Sequence, residues 1–190
     1  QKDLKGTIKF IFQPAEEGAP TGEEGGAKLM IKEGVMKNPD VDVIFGLHIS
    51  STTPVGTITY KPGGILAAAD GFVITVHGKQ SHGSEPWKSI DPIVTAAQII
   101  NGIQTIISRQ AELTKEGAVI SVGMIHSGIR NNIIPESAEL VGTIRTLDVA
   151  MQDKIHSDLI RTATKIGESM GATVDVEIER EVPVTFNDPI

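Results

Sequence analysis

The sequence lacks cysteine, long apolar runs and any block of basic residues. Without cysteine, its 190 residues can form no disulfide and offer no thiolate to a metal ion. No apolar run approaches the roughly 20 residues of a membrane-spanning helix, so we expect no membrane partner. The formal net charge is −7 and the lysines and arginines are dispersed, so we expect no nucleic-acid partner either.

The remaining composition, 39% apolar and 22% charged residues, is typical of an ordinary globular protein, and we expect a cytoplasmic one. The chain opens at "QKDLKGTIKF" without Met and runs almost directly into a β-rich stretch. We therefore expect a piece of a longer protein, with any targeting signal outside it.

The first segment reads as part of a βαβ unit. Residues 6–12, 41–48 and 55–60 are β-rich runs that predict three strands, and a short helix is predicted in "AKLMIKEGVM" after a Gly-rich loop. Because fewer than about 70 residues cannot complete such a sheet, we expect this segment to be only part of a domain.

From about Ala69 to Pro183 the pattern predicts β-α-β-β-α-β, the order of a ferredoxin-like split βαβ sandwich. The first helix is expected to have Asp91 as its N-cap, and the second to begin after Asp148 and end with Gly171 as its C′ residue. The predicted buried faces are Ile93, Ala96, Ala97, Ile100, Ile103 and Ile107 on the first helix, and Ile155, Leu159, Ala163, Ile166 and Met170 on the second.

Two adjacent carboxylates, Glu16 and Glu17, end the first apolar run in "FIFQPAEEGAP". Neighbouring loop residues project differently, so one could bind a divalent cation while the other faces the water that the cation activates. A solvated acidic loop that also includes Glu23 and Glu24 is an equal alternative. His48, expected at the C-terminal end of a strand, would be a suitable further ligand, although a lone histidine there is more often structural.

Three polar residues of the second segment are further candidates. His82 lies in the Gly- and Ser-rich turn "GKQSHGSEPW", where a side chain could reach a ligand or simply face solvent. Asn132 precedes a Pro-containing turn, and Arg145 lies in a β-rich run from which it could clamp a carboxylate. His77, His126 and His156 have no ligand-like neighbours in the sequence, and we interpret them as structural.

Taken together, a set of ordered motifs resembles one metallopeptidase family, that of aminoacylases, hippurate hydrolases, auxin-conjugate hydrolases and bacterial carboxypeptidases. The motifs are "FQPAEEG", "GGAKLMIKEGV", "IFGLHI", "PVGTI", "AAADGFVITVHGKQSHGSEP", "DPIVTAAQIINGIQTIISR", "NIIPESAELVGTIRTLD" and "FNDP". The resemblance implies a partial zinc-peptidase-like α/β catalytic domain over residues 1–68. It further implies a ferredoxin-like α+β lid and dimerisation domain over 69–184 and a return into the catalytic domain over 185–190.

The resemblance also implies a role for each candidate residue. Glu16 matches the family's general base, and Glu17 and His48 match its metal ligands. His82 matches a lid histidine that reaches across the dimer to the scissile carbonyl or its oxyanion. Asn132 and Arg145 match substrate-binding positions of the family.

The implied activity is metal-dependent hydrolysis of the amide bond of N-acyl amino acids or small peptides by a homodimer. The expected cofactor is a divalent metal, zinc or manganese before cobalt or nickel, with one or two ions per subunit. The family's His-x-Cys-Gly-His-Asp motif and its C-terminal metal-binding histidine have no counterpart here, so this piece alone is expected to be largely inactive. Two alternatives stay open, a non-catalytic ferredoxin-like dimerisation or ligand-binding module and a relative that has lost activity.

Overall fold

A computed structural model describes residue 3 and residues 5–189. The chain divides into two compact units, Gln1–Thr57 and Ile58–Ile190. In the described part of the first unit, helix α1 spans Gly26–Lys32; it begins one residue before the stretch predicted to be helical, residues 27–36, and ends four residues before it does.

The three strands predicted in the first 60 residues are not formed. Residues 6–12, 41–48 and 55–60 carry no strand assignment, and their apolar side chains are exposed, among them Phe12 at 85% and Leu47 at 89%. An apolar β-rich run is stable as a strand only where neighbouring strands complete its hydrogen bonds and cover its faces. Such neighbours are not among the described residues, so the strand prediction is wrong for this chain.

The second unit contains a four-stranded antiparallel sheet with the strand order β4-β6-β2-β7. Its strands are β2 (Ala68–His77), β4 (Ala118–Ser127), β6 (Ser137–Thr146) and β7 (Thr173–Val182). Two helices, α2 (Pro92–Thr105) and α3 (Val149–Ser169), pack on one face, and a π-helical turn, Ile106–Gln110, extends α2. The predicted four strands and two helices are therefore all present.

Two shorter ladders accompany this sheet. The two-residue strands β3 (Ser81–His82) and β5 (Ile133–Ile134) pair with each other. Strand β1 (Gly63–Leu66) pairs with β8 (Thr185–Asn187), close to the predicted domain boundaries at residues 68 and 184. Those boundaries stay predictions.

The core lies between the helices and the sheet, and the α2 face that enters it differs from the predicted one. Ala96 and Ile103 are buried as expected, but Ile93 and Ala97 are exposed, while Thr95 and Ile99 are fully buried. Thr95 tolerates burial because its hydroxyl donates a hydrogen bond to the Asp91 carbonyl at 2.7 Å. A prediction based on apolar residues alone misses Thr95. It therefore shifts the predicted buried face of α2 by about one residue.

The helix ends follow the sequence prediction more closely. The Asp91 carboxylate accepts the N–H of Ile93 at 2.9 Å, and Gly171 has the positive φ of a C′ residue, +79°. On α3, Ile155, Leu159 and Ala163 are buried as predicted, whereas Met170 lies just beyond the last turn and is 36% exposed.

Asp148 caps the first turn of α3 and ties it to the loop before β4. Its carboxylate accepts the N–H of Met151 at 2.8 Å and the ammonium of Lys115 at 2.8 Å. The hydrogen bond from Lys115 is the main reason why the pKa of Asp148 is lowered. Because the folded state favours the ionised carboxylate, this stabilisation is present above the ordinary pKa and is lost as the pH falls through the lowered one.

None of the helices formed by the described residues has the length and apolar character that a membrane crossing requires.

Gly142 on β6 provides a test of the core packing. It lies opposite Phe72, and a Cβ at this position would come within 2.2 Å of the Phe72 ring and 2.3 Å of the Ser121 carbonyl. We expect Gly142→Ala to lower the free energy of unfolding by about 2–3 kcal/mol through overpacking. Gly123→Ala is the control, because its nearest contact would be 3.9 Å away. Equal denaturation midpoints for the two variants would contradict the packing described here.

Candidate functional site

Glu16 and Glu17 occupy the two central positions of one tight turn. The turn is closed by a 3.2 Å hydrogen bond from the Gly18 N–H to the Ala15 carbonyl. Both glutamates are exposed, and Ala15, which precedes them, has a φ of +51°, a conformation uncommon for a residue other than glycine. Strained backbone of this kind persists where the surroundings hold it and is frequent at functional sites.

The contact between this turn and the start of α1 explains why glycines occupy both the N-cap and the first position of the helix, Gly25 and Gly26. A Cβ at Gly25 would lie 3.0 Å from both the Ala15 Cβ and the Ala19 Cβ, and Gly26 has a φ of +68° with the Ala15 carbonyl 3.3 Å from an added Cβ. The glycines therefore let the helix start approach the turn closely, which fixes the backbone that carries Glu16 and Glu17.

His48 lies in a segment without regular structure rather than at the end of a strand, and it is exposed. Within the described residues, no three His, Cys, Asp or Glu side chains lie close enough to hold a metal ion. Glu17 and His48 belong to the same unit and have the donor atoms that zinc-like ions take, carboxylate oxygen and imidazole nitrogen. Their donor chemistry fits a divalent metal, but these two ligands do not complete a site.

His82 and Asn132 are brought together by the β3–β5 ladder. His82 pairs with Ile133, and the N–H of Gly83 donates to the Asn132 carbonyl at 2.8 Å. A Cβ on Gly83 would lie 3.2 Å from the same carbonyl, so glycine permits this close approach. Both polar side chains are exposed, which leaves them accessible to a ligand at this end of the second unit.

Arg145 lies at the opposite end of the sheet. It pairs with Ala69 of β2, whereas His82 follows the other end of β2, which finishes at His77. The strand between Ala69 and His77 spans about 26 Å at about 3.3 Å per residue. The Arg145 guanidinium donates to the Thr143 hydroxyl at 2.6 Å, back along β6. One copy of this sheet therefore keeps Arg145 away from His82 and Asn132.

A buried polar cluster was missed by the sequence interpretation. Asp70 is fully buried, and its carboxylate accepts hydrogen bonds from Gln152 at 2.8 Å and lies 2.7 Å from the His156 ring. The burial of His156 and its contact with Asp70 fit the interpretation of this histidine as structural, and Asp70 is an acidic neighbour that lies far from it in the sequence. The signal was available, because Asp70 occupies a core-facing position of β2, where a charged residue requires partners.

His77 also has an acidic neighbour that was not expected. Its ring lies 2.9 Å from the Asp175 carboxylate on β7, and both side chains are largely exposed. His126 lines a shallow surface cleft together with Glu136 and Glu139. Within the second unit, no described contact connects either histidine with His82.

The buried pair Asp70–His156 and the exposed pair His77–Asp175 allow a matched test of how burial changes the contribution of such a pair to stability. We expect Asp70→Ala to lower the free energy of unfolding by about 3–5 kcal/mol, because it leaves His156 and Gln152 without their buried partner. Asp175→Ala removes an exposed pair and should cost less than about 1 kcal/mol. Denaturant titration measures both, and a loss for Asp70→Ala no larger than that for Asp175→Ala would contradict the buried cluster.

Comparison with known proteins gives consistent results along the whole chain. The family model described as Peptidase family M20/M25/M40 matches residues 1–190. Thermostable carboxypeptidase 2 of Saccharolobus solfataricus is 46% identical over 99% of this chain and 47% of its own length. N-acetylcysteine deacetylase of Bacillus subtilis is 38% identical over 98% of this chain and 47% of its own length. The chain thus spans about half the length of these relatives.

A solved structure agrees in fold. A dinuclear metal binding peptidase of the M20 family from Bacillus subtilis superimposes with a TM-score of 0.74 at 35% sequence identity. The match covers 94% of this chain and 42% of that protein. The chain therefore has the α/β fold of these peptidases over nearly all its length.

Proposed function

The chain belongs to the M20/M25/M40 peptidase family, and on that premise we propose that the whole protein hydrolyses the amide bond of N-acyl amino acids or small peptides. The observation that carries this proposal is the placement of Glu16 and Glu17 at the centre of one turn. The relatives named carboxypeptidase and N-acetylcysteine deacetylase support this substrate class. A non-catalytic module is not favoured, because the family match includes the first segment as well as the sheet.

Glu17 and His48 would hold a divalent cation, zinc or manganese before cobalt or nickel, together with ligands outside this chain. When bound, such a cation polarises the scissile carbonyl and acidifies a coordinated water molecule. The likeness to a dinuclear metal binding peptidase supports one or two ions per subunit. The described part of the chain gives Glu17 and His48 no hydrogen-bond partner, which leaves both side chains available as ligands.

Glu16 acts as the general acid and base. Its carboxylate takes a proton from the attacking water and returns it to the amine that leaves, so one group serves both proton transfers. Its position beside Glu17 places this base next to the ligand that binds the cation. His82 and Asn132 donate hydrogen bonds to the oxyanion that forms on the carbonyl, and Arg145 binds the substrate carboxylate through its planar guanidinium.

The separation along the sheet supports a site assembled from two subunits. About 26 Å of β2 separates Ala69, which pairs with Arg145, from His77, after which the chain leads to His82, and we infer that a single copy does not place Arg145, His82 and Asn132 on one small substrate. We assign His82 and Asn132 to the partner's active site. The sandwich of residues 69–184 is then a ferredoxin-like lid and dimerisation domain, and residues 1–68 and 185–190 belong to the catalytic domain.

The difference between the two edge strands supports β4 as the dimer contact. On β4, Val119, Met124 and Ile125 are each 50% exposed. On β7 the alternate exposed positions are acidic, Asp175, Glu177 and Glu179. A row of like charges opposes pairing with a second copy, whereas an apolar edge favours it. The absence of nucleic-acid and membrane partners and the cytoplasmic location stay predictions.

The role of Glu16 is tested by Glu16→Gln in the full-length protein. We expect kcat on N-acyl amino acids to fall at least about 100-fold, because the amide cannot take the proton from water, while metal content stays the same. Glu23→Gln changes an acid of the same loop and should leave kcat nearly unchanged. Retained turnover by Glu16→Gln with metal still bound would rule out the assigned role.

The dimer contact is tested by Met124→Asp on β4. Two copies paired through this edge would bring like charges together, so we expect the full-length dimer to dissociate in analytical ultracentrifugation. Val182→Asp is the matched control, because Val182 is an exposed apolar residue, at 54%, on the opposite edge strand. Dissociation by Val182→Asp and not by Met124→Asp would assign the interface to β7 instead.

A further inference from the structure

The ring of His82 is held by the residue two positions later in the chain. The backbone N–H of Ser84 donates to His82 Nδ1 at 3.2 Å, and the Ser84 hydroxyl lies 2.7 Å from the same nitrogen. No hydrogen bond of Nε2 is found among the described residues, and the side chain is exposed. One nitrogen of the ring is thus engaged within its own loop, and the other faces outward.

These contacts decide which ring nitrogen carries the proton. A hydroxyl can donate or accept, so the Ser84 side chain alone would leave the tautomer open. A backbone N–H can only donate, and it therefore requires a lone pair on Nδ1. While this contact is made, the proton of the neutral imidazole is on Nε2, and the shorter contact from the Ser84 hydroxyl, which then donates to Nδ1, strengthens the same preference.

The backbone around His82 is fixed by further hydrogen bonds. The N–H of Glu85 donates to the His82 carbonyl at 2.8 Å, which closes a turn with Gly83 and Ser84 at its centre. The Ser81 hydroxyl donates to the Glu85 carbonyl at 3.3 Å. Ser84 is therefore presented to the ring by a closed turn that is also anchored to Asn132 through Gly83.

We propose that Ser84 is a positioning residue that holds His82 in the tautomer with the proton on Nε2, so that His82 presents a hydrogen-bond donor to the oxyanion. This inference rests on the function proposed above for His82. The opposite tautomer would direct the lone pair of Nε2 towards a developing negative charge and would repel it. The hydroxyl matters because the backbone contact alone, at 3.2 Å, is at the long end of hydrogen-bond distances.

The kinetic test uses Ser84→Ala in the full-length dimeric enzyme, with an N-acyl amino acid as substrate. We expect kcat to fall about 10- to 100-fold with KM little changed, because the donor is needed in the transition state more than in substrate binding. Ser84→Thr keeps the hydroxyl and should restore most of the activity. Ser89→Ala is the control, because the Ser89 hydroxyl donates to the Pro86 carbonyl of the same loop and does not contact His82.

A spectroscopic test does not depend on turnover. In the full-length protein labelled with ¹⁵N-histidine, the wild type at a pH where His82 is neutral should show Nδ1 as the unprotonated nitrogen and Nε2 as the protonated one. Ser84→Ala should shift the population towards the other tautomer, and Ser84→Thr should not. A wild-type ring protonated on Nδ1, or a tautomer ratio unchanged by Ser84→Ala, would overturn the inference.

The variant His82→Ala distinguishes a failure of the function proposed for His82 from a failure of the role inferred for Ser84. If His82→Ala keeps full turnover, the function proposed for His82 fails even where the tautomer is as inferred. If His82→Ala is inactive and Ser84→Ala is fully active, the function of His82 stands and the role of Ser84 is wrong.

Discussion

The antiparallel register between β2 and β6 is the constraint on which the second unit depends. It runs without a break from Ala68 opposite Thr146 to His77 opposite Ser137. Arg145 is thereby fixed at one end of the sheet, while the chain continues from the other end into the β3–β5 ladder with His82 and Asn132. Since side-chain direction alternates along a strand, a slip by one residue would also turn Arg145 into the core and Ile144 out of it.

This register is the basis of the proposal that the chemistry is shared between two subunits. The strand β2 separates the end of the sheet with Arg145 from the end that leads to His82 and Asn132, and on this proposal a second copy supplies His82 and Asn132. The end with His82 and Asn132 is ordered by local contacts: the close approach of Gly83 holds Asn132 beside His82, and the contacts of Ser84 orient the imidazole. The proposed general base, Glu16, and the proposed metal ligand, Glu17, are likewise held by one turn, which begins at Ala15.

Sequence patterns predicted the helices and the strands of the sheet. Helix-end residues such as Asp91 and Gly171, and the alternation of apolar and polar residues along a strand, reflect local preferences, and the fold satisfies them. The patterns failed where the outcome depends on partners distant in sequence. Residues 6–12 and 41–48 have the composition of strands but no ladder among the described residues, and Thr95 enters the core through a hydrogen bond that apolar counting ignores. The pairing of Asp70 with His156 joins β2 to α3 and could be anticipated only as a buried charge in need of a partner.

A site shared between two subunits is tested most directly by hybrid dimers of two full-length variants that are expected to be inactive, Glu16→Gln and His82→Ala. In a hybrid, the subunit with His82→Ala keeps its own Glu16 and receives an intact His82 from its partner. Mixing and reassociating equal amounts should therefore restore about a quarter of the wild-type activity, since half of the dimers are hybrids with one working site each. No recovery in a mixture shown to contain hybrid dimers would contradict a site built from two subunits.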